Sequence, residues 1–246
     1  MYQFFVEPSQ ICDKTVTIVG SDVNHIKNVL RMKVGEELAV SNGADGKEYR
    51  CAIAGFEEER ILCELRFVKE DGVELASQVY LFQGLPKADK MELIIQKAVE
   101  LGVHAVVPVA AKRCVVKLDD KKAKSKISRW QSISEAAAKQ SKRRIVPKIA
   151  EVMSFKEALS FVKDFEVKLI PYELAEDMGK TKKMIEHLQP GQKIAIFIGP
   201  EGGFDEGEIV AAMQAGVEPI TLGKRILRTE TAGFTVLSWI MYKLEE

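Results

Sequence analysis

"KIAIFIGPEGGFDEGEIVAAMQAGVEPITLGKRILRTETAG", Lys193–Gly233, decides how this chain folds. Lys193–Ile198 is a nearly unbroken apolar run, which reads as a strand buried on both faces. It stops at Gly199–Pro200, and Gly202 and Gly203 follow. Asp205 then precedes an apolar helical pattern with Glu208 three residues on, the spacing of a capping box. A second strand covers 218–222 and ends at Gly223. From there "KRILR" leads into a last helix that starts at "TETAG". Strand, glycine loop and helix therefore occur twice in succession, the pattern of a parallel sheet with helical crossovers. The second junction crowds glycines, threonines and three basic residues into a space that a simple connection would not need, and loops of that kind carry function.

The same alternation extends upstream. "QVYLFQGL", "VHAVVPVA" and "EVKLIPYE" read as strands. "ADKMELIIQKAVELG" is an amphipathic helix with Asp89 and Glu92 spaced as a capping box and Gly102 as its stop. "SRWQSISEAAAKQS" is a further helix, and Ser154 with Glu157 opens another. Residues 73–246 thus form an α/β domain with a mostly parallel sheet. The first 72 residues read differently. "KTVTIVG", the hairpin within "EELAVSNGADGKEYRCAIAGF" and the alternating "RILCELRFV" are strands, and only "SDVNHIKNVLRM", with Ser21 or Asp22 as its cap, looks helical. This predicts a small antiparallel β-barrel or half-barrel, joined to the second domain through "KEDGVELAS".

The 246 residues carry 36 basic and 36 acidic side chains. That balance hides an asymmetry. Between Lys112 and Lys148 there are 13 basic and 3 acidic residues (13 − 3 = +10), so the remainder carries about −10. One concentrated basic band on a neutral protein points to a polyanionic partner, and with its neighbouring motifs to nucleic acid. No apolar run reaches the ~18 residues of a membrane span, and no signal peptide is visible at the start. Cys12, Cys51, Cys63 and Cys114 show no CxxC spacing, which predicts reduced, buried thiols in a cytoplasmic protein.

In parallel α/β sheets, ligands gather beyond the carboxyl ends of the strands. Three such ends stand out: "IPYE", "IGPEGGF" and "LGKRILRTETAG". The glycine loops match neither the P-loop nor the dinucleotide fingerprint. The three histidines are scattered without metal spacing, and no nucleophile elbow occurs, so neither a metal site nor a serine triad is expected.

"IGPEGGF" followed by "LGKRILRTETA" resembles the signature pair of the SPOUT methyltransferases of the ribosomal RNA small subunit methyltransferase E type. The likeness runs along the whole chain. "HIKNVLRMKVGEELAVSNGADGKEYRCAI" resembles that family's N-terminal, PUA-like RNA-binding barrel. "KADKMELIIQKAVELGV", "RCVVK" and "RWQSISEAAAKQSKR" resemble its methyltransferase core. Two positions depart from the family pattern: Gln3, where an arginine is common, and Lys139, where a glutamate is common.

The resemblance implies a deep trefoil knot within about residues 169–246, a homodimer, and S-adenosylmethionine bound in a bent shape with no metal. Its cofactor pocket would include Pro171, Ile198, Gly199, Pro200, Glu201, Gly203, Leu222, Gly223, Ile226, Leu227, Arg228, Thr231 and Ala232, with Thr229, Glu230 and Thr231 capping the last helix. His25, Arg31, Lys33, Lys112, Arg113, Lys142, Arg143 and Arg144 would bind RNA, as naked small-subunit (16S) ribosomal RNA or the assembled 30S subunit. The reaction implied is methylation of N3 of one uridine. A neutral N3 has no free lone pair, so its proton must leave. Glu201 or Glu230 as base, or Arg228 as a cation favouring the uridinate, are the candidates. Two other readings follow from the same residues. One is an RNA-binding or ribosome-assembly module without catalysis, and the other is a phosphate- or nucleotide-binding enzyme that uses "GPEGG" as an anion cradle.

Overall fold

The strands of the first unit alternate apolar and polar residues, so each must cover one face. In the computed structural model, which describes residues 1–70 and 72–245, they do so in a six-stranded sheet. Its strands are β1 (Gln3–Phe5), β2 (Ile11–Cys12), β3 (Thr15–Val19), β4 (Glu37–Ser41), β5 (Glu48–Phe56) and β6 (Arg60–Lys69). The order is β1-β4-β5-β6-β3-β2. All neighbours are antiparallel except β1, which runs parallel to β4. Val16, Ile18, Leu38, Val40, Ile53 and Ile61 meet in its core with Val23 and Ile26 of a short helical segment. That segment is α1 (Ser21–Asn24) running on into a π-helical turn, His25–Val29. Neither Ser21 nor Asp22 caps it. Gly20 holds the cap position at φ 75°, a conformation that favours glycine.

The compact units divide after Glu74, two residues beyond the sequence boundary, and Ala138–Val146 returns to the first unit from within the second. The return is fixed by buried charge. Arg143 Nε donates to Glu74 Oε2 at 2.9 Å, and the main-chain N–H groups of Arg144 and Ile145 donate to Glu74 Oε1 at 2.9 and 3.1 Å. Arg144 Nη1 donates to the Lys69 carbonyl, and Arg144 Nη2 lies 3.7 Å from Glu48. The two positions that depart from the family pattern sit here as well. Gln3 Nε2 donates to the Arg143 carbonyl at 2.8 Å, and Lys139 pairs with Asp22 at 3.3 Å.

The second unit is built on β7 (Gln78–Gly84), β8 (Ala105–Ala110), β9 (Lys148–Ile149), β10 (Met153–Ser154), β11 (Val167–Pro171), β12 (Lys193–Ile198) and β13 (Glu218–Ile220). The order is β10-β8-β7-β12-β11-β13, with β9 also on β8, and every pairing is parallel. The apolar runs are the central strands. All of β12 after Lys193 is buried, and so is β8 up to Val109. Phe82 of β7 stacks on Phe197 of β12 with ring centroids 4.7 Å apart. The helices are α2 (Lys90–Glu100), α3 (Asp120–Gln140), α4 (Phe155–Phe161), α5 (Met178–Glu186), α6 (Glu206–Gln214) and α7 (Thr229–Leu244).

The capping boxes of α4 and α6 form as their sequences predict. That of α2 does not. Asp89 makes no side-chain cap, since its backbone (φ −95°, ψ 15°) is not extended and its carbonyl takes the Glu92 N–H, while Arg129 holds the Glu92 carboxylate in two hydrogen bonds of 2.6 and 3.0 Å. Helix α3 begins at Asp120, so the lysine-rich "DKKAKSK" is its first two turns. Helix α5 has no counterpart in the sequence reading.

Candidate active site at the carboxyl ends of the strands

The chain reverses direction across the sheet between β7 and β12, and the strand ends gather beside that point. There the loops after β11, β12 and β13 enclose a cavity of about 590 Å³, within the range of small-molecule sites. Pro171, Ile198, Gly199, Pro200, Glu201, Gly203, Leu222, Gly223, Ile226, Leu227, Arg228 and Ala232 all line it. Thr231 and Glu230 do not. Successive helix residues are turned by about 100°, so a cavity facing Thr229 and Ala232 turns away from Thr231.

Backbone conformation shapes the cavity. Gly203 and Gly223 have φ of +66° and +104°, which L residues rarely adopt. At Gly199 a Cβ would lie 3.0 Å from the main chain of Gly203, so this glycine closes the loop on itself rather than clearing space for a ligand. A second close approach lies at Gly84, the end of β7, where a Cβ would sit 2.6 Å from Pro200 Cδ and 2.7 Å from Pro200 N.

Thr229 ties two of the loops together. It is 7% exposed, donates to the Gly199 carbonyl at 2.6 Å and accepts from Gln83 Nε2 at 2.9 Å. It is therefore a cross-link and not a cap, and the N-cap residue of α7, Arg228, makes no side-chain cap bond. The main chain from Lys224 to Leu227 makes no hydrogen bond among the described residues. Its donors and acceptors are thus open at a cavity wall, as the edge of a flat heterocycle requires.

The charges are set by Lys90, the first residue of α2. Lys90 Nζ lies 3.0 Å from Glu201 Oε1 and 3.6 Å from Glu230 Oε2. The Lys87 N–H also donates to Glu201, at 3.1 Å. Burial pushes the Glu201 carboxyl up, but hydrogen bonds from its own main chain, Lys90 and Lys87, with the Lys90 charge, outweigh this and hold it below the usual carboxylate range. Lys90 is raised in turn, chiefly by its hydrogen bond to Glu201. Sequence reasoning missed Lys90. A lysine in the first turn of a helix opposes the macrodipole, and that was the available signal. Glu230 Oε2 is buried with no hydrogen bond. Arg228 is exposed, and its side chain makes no hydrogen bond or ion pair among the described residues; its carbonyl accepts from the Ala232 N–H at 2.9 Å.

Of the residues expected to meet RNA, His25, Arg31, Lys33 and Lys142 are exposed in the first unit, and Lys112 and Arg113 in the second. Lys112 pairs with Asp205 at 2.9 Å, and Arg113 lines the cavity and donates to the Gly202 carbonyl at 3.1 Å. Arg143 and Arg144 are 5% and 2% exposed, and Glu74 and Glu48 hold them as described above. That placement corrects their expected role, since side chains so enclosed present no surface to RNA. Of the thiols, Cys51, Cys63 and Cys114 are buried and Cys12 is exposed. Burial pushes Cys51 up to about 12 and Cys63 up to about 11, so both stay protonated at neutral pH.

A model of the RNA methyltransferase domain matches residues 73–241, and one of the RNA methyltransferase PUA domain matches residues 19–66. The ribosomal RNA small subunit methyltransferase E of Bacillus subtilis is 39% identical over 251 aligned residues, covering 100% of this chain and 98% of the relative. The chain belongs to the ribosomal RNA small subunit methyltransferase E family. The family member from Neisseria gonorrhoeae, solved bound to S-adenosylmethionine, superposes with a TM-score of 0.83 at 33% identity, covering 97% of this chain and 96% of that one. A methyltransferase of Legionella pneumophila, solved with the same cofactor, gives 0.83 at 30% identity, with coverage of 98% and 96%.

Proposed function

We propose that this protein transfers a methyl group from S-adenosylmethionine to N3 of one uridine in small-subunit (16S) ribosomal RNA, as a homodimer in the cytoplasm, with a knotted C-terminal segment. The observation that carries the reading is the cavity at the three strand ends, walled by open main chain and edged by an unengaged Arg228. The fit to the donor rests on that wall. Leu222 and Leu227 give apolar faces, while the bare N–H and C=O groups from Lys224 to Leu227 are free to meet adenine and ribose. The donor brings an activated methyl group on a sulfonium, so the protein's task is alignment and removal of the N3 proton.

Glu201 is a poor candidate for the base. Its carboxylate is committed to Lys90 and the Lys87 N–H, and its lowered pKa weakens it as an acceptor. Glu230 has one oxygen buried without a hydrogen bond, 3.6 Å from the Lys90 ammonium, and it is not among the residues lining the cavity. Arg228 can accept the negative charge that spreads over the uracil carbonyls as N3 loses its proton. In this reading Lys90 is a positioning residue that fixes both glutamates. The RNA would meet the lysines at the start of α3. Calorimetric titration with S-adenosylmethionine tests the reading: saturable binding without added metal supports it, and no binding at millimolar donor overturns it. An RNA-binding module without catalysis would show RNA affinity and no donor binding.

A further inference from the structure

The charged residues of the cavity fall into two sets. Lys90 is held by Glu201 and Glu230, and Arg113 by the Gly202 carbonyl and, at 3.9 Å, by Asp205. Lys224, Arg225 and Arg228 line the same cavity, and among the described residues none of their side chains has a hydrogen bond or an ion pair. The lining residues include one carboxylate in the same condition, Glu173. Three unengaged cations therefore face one unengaged anion. Solvated surface lysines are common, but this segment differs from an ordinary charged surface. It walls a cavity, its main chain is unbonded, and Ile226 between the cations is 90% exposed. A loop left so open is shaped for a ligand that is absent from the free protein.

That ligand is not the methyl donor alone. At neutral pH S-adenosylmethionine carries a sulfonium and an ammonium against one carboxylate, a net positive charge. Each uncompensated cation about 10 Å from it weakens its binding about twofold, even at the dielectric constant of water. RNA phosphates have the opposite sign. Resting on the reading above, we propose that Lys224 and Arg225 couple the two substrates. They oppose the donor in the free protein and bind phosphates flanking the target nucleotide, and the phosphates then cancel the opposition. RNA and donor consequently bind with positive coupling, and by linkage each raises the other's affinity by the same factor. The arrangement limits donor binding until the acceptor is in place.

S-adenosylhomocysteine separates charge from shape, because it keeps the adenosine, ammonium and carboxylate and lacks the sulfonium. Equilibrium dialysis of both ligands at about 0.01 and 0.15 M salt, where the Debye length falls from about 30 to 8 Å, reads the repulsion directly. Without RNA, the added salt tightens the donor about two- to fourfold and leaves S-adenosylhomocysteine unchanged. The Lys224→Gln/Arg225→Gln variant, altered only at exposed side chains, binds the donor more tightly than the parent at low salt by the same factor. Saturating small-subunit ribosomal RNA raises the donor affinity of the parent about fivefold or more, within the usual range of such couplings, and that of the variant much less. A variant that weakens both ligands equally shows the loop holding the donor carboxylate, and overturns the proposal while leaving the donor site standing. Identical salt responses of the two ligands in the parent, or a variant indistinguishable from it, also overturn it. Failure of both ligands to bind the parent rejects the underlying reading instead.

Discussion

Arg228 carries the sharpest claim at the scale of single residues. Glu230, its neighbour two places on, is turned to Lys90 at 3.6 Å, so nothing among the described residues draws the Arg228 guanidinium away from the cavity. Arg228→Ala is expected to keep its fold, to change donor affinity by no more than about twofold, and to lose about 10²-fold in single-turnover methyl transfer, the scale for removing a transition-state donor. Arg228→Lys keeps the charge without the planar fork and is also impaired. Rate against pH, with donor and RNA saturating, decides the role. A deficit that shrinks as pH rises identifies Arg228 as the group favouring the uridinate, a constant deficit identifies positioning, and the parent's rate throughout removes Arg228 from the mechanism. Glu201 adds no inflection near neutrality. Its depressed pKa keeps it ionised there, and the Lys90 pair is lost only as pH falls through a value below the ordinary carboxylate range. Arg228 was legible in the sequence because it follows "IL" at the start of a helix. Lys90 was not, because its two glutamates, one in the loop after β12 and one at the start of α7, lie more than a hundred residues away.

The glycine loops show what the sequence could and could not convey about elements. The strands, α6 and the cavity wall are local patterns, since an apolar run and a capping box need no partner to be read. The reason for a particular glycine depends on what approaches it. Gly199 lines the cavity as the sequence reading expected, but what excludes a Cβ there is loop closure on Gly203, and the comparable approach at Gly84 left no mark in the sequence beyond a strand ending in glycine. Gly84→Ala is therefore expected to push the Gly199–Pro200 loop away, because its Cβ meets main chain and a rigid proline ring, neither of which yields cheaply. A loss of about 1–3 kcal/mol in denaturant unfolding, with donor affinity down about tenfold or more, is the expected result. A variant with the parent's midpoint and affinity contradicts the account of this contact. The segment Ala138–Val146 illustrates the other limit. "KQSKRR" reads as a surface tract by composition, and only the fold brings Glu74 and Glu48 to neutralise it.

For the whole molecule, the basic band has to be redrawn. With Arg143 and Arg144 enclosed, replacing them with alanine removes the guanidinium partner of the half-buried Glu74 and leaves the buried Glu48 with Arg50 alone, so it tests stability rather than RNA binding. The cations open to solvent lie instead at and before the start of α3. Lys117, Lys121 and Lys124 are exposed or half-exposed, and no ion pair engages their side chains among the described residues. Their replacement by alanine is expected to weaken RNA binding and reduce the slope of log affinity against log salt by up to about 3, with donor affinity unchanged, as filter binding at several salt concentrations would read. An unchanged slope makes the band a solvated face. The central claim, methyl transfer to one uridine N3, rests on more than donor affinity, and one measurement reaches it directly. Small-subunit ribosomal RNA and assembled subunits are incubated with the protein and methyl-labelled S-adenosylmethionine, digested to nucleosides, and the labelled product is identified and mapped by mass spectrometry. The account predicts N3-methyluridine at a single position. Label on carbon 5, on the ribose, on another base, or on neither RNA substrate would contradict it.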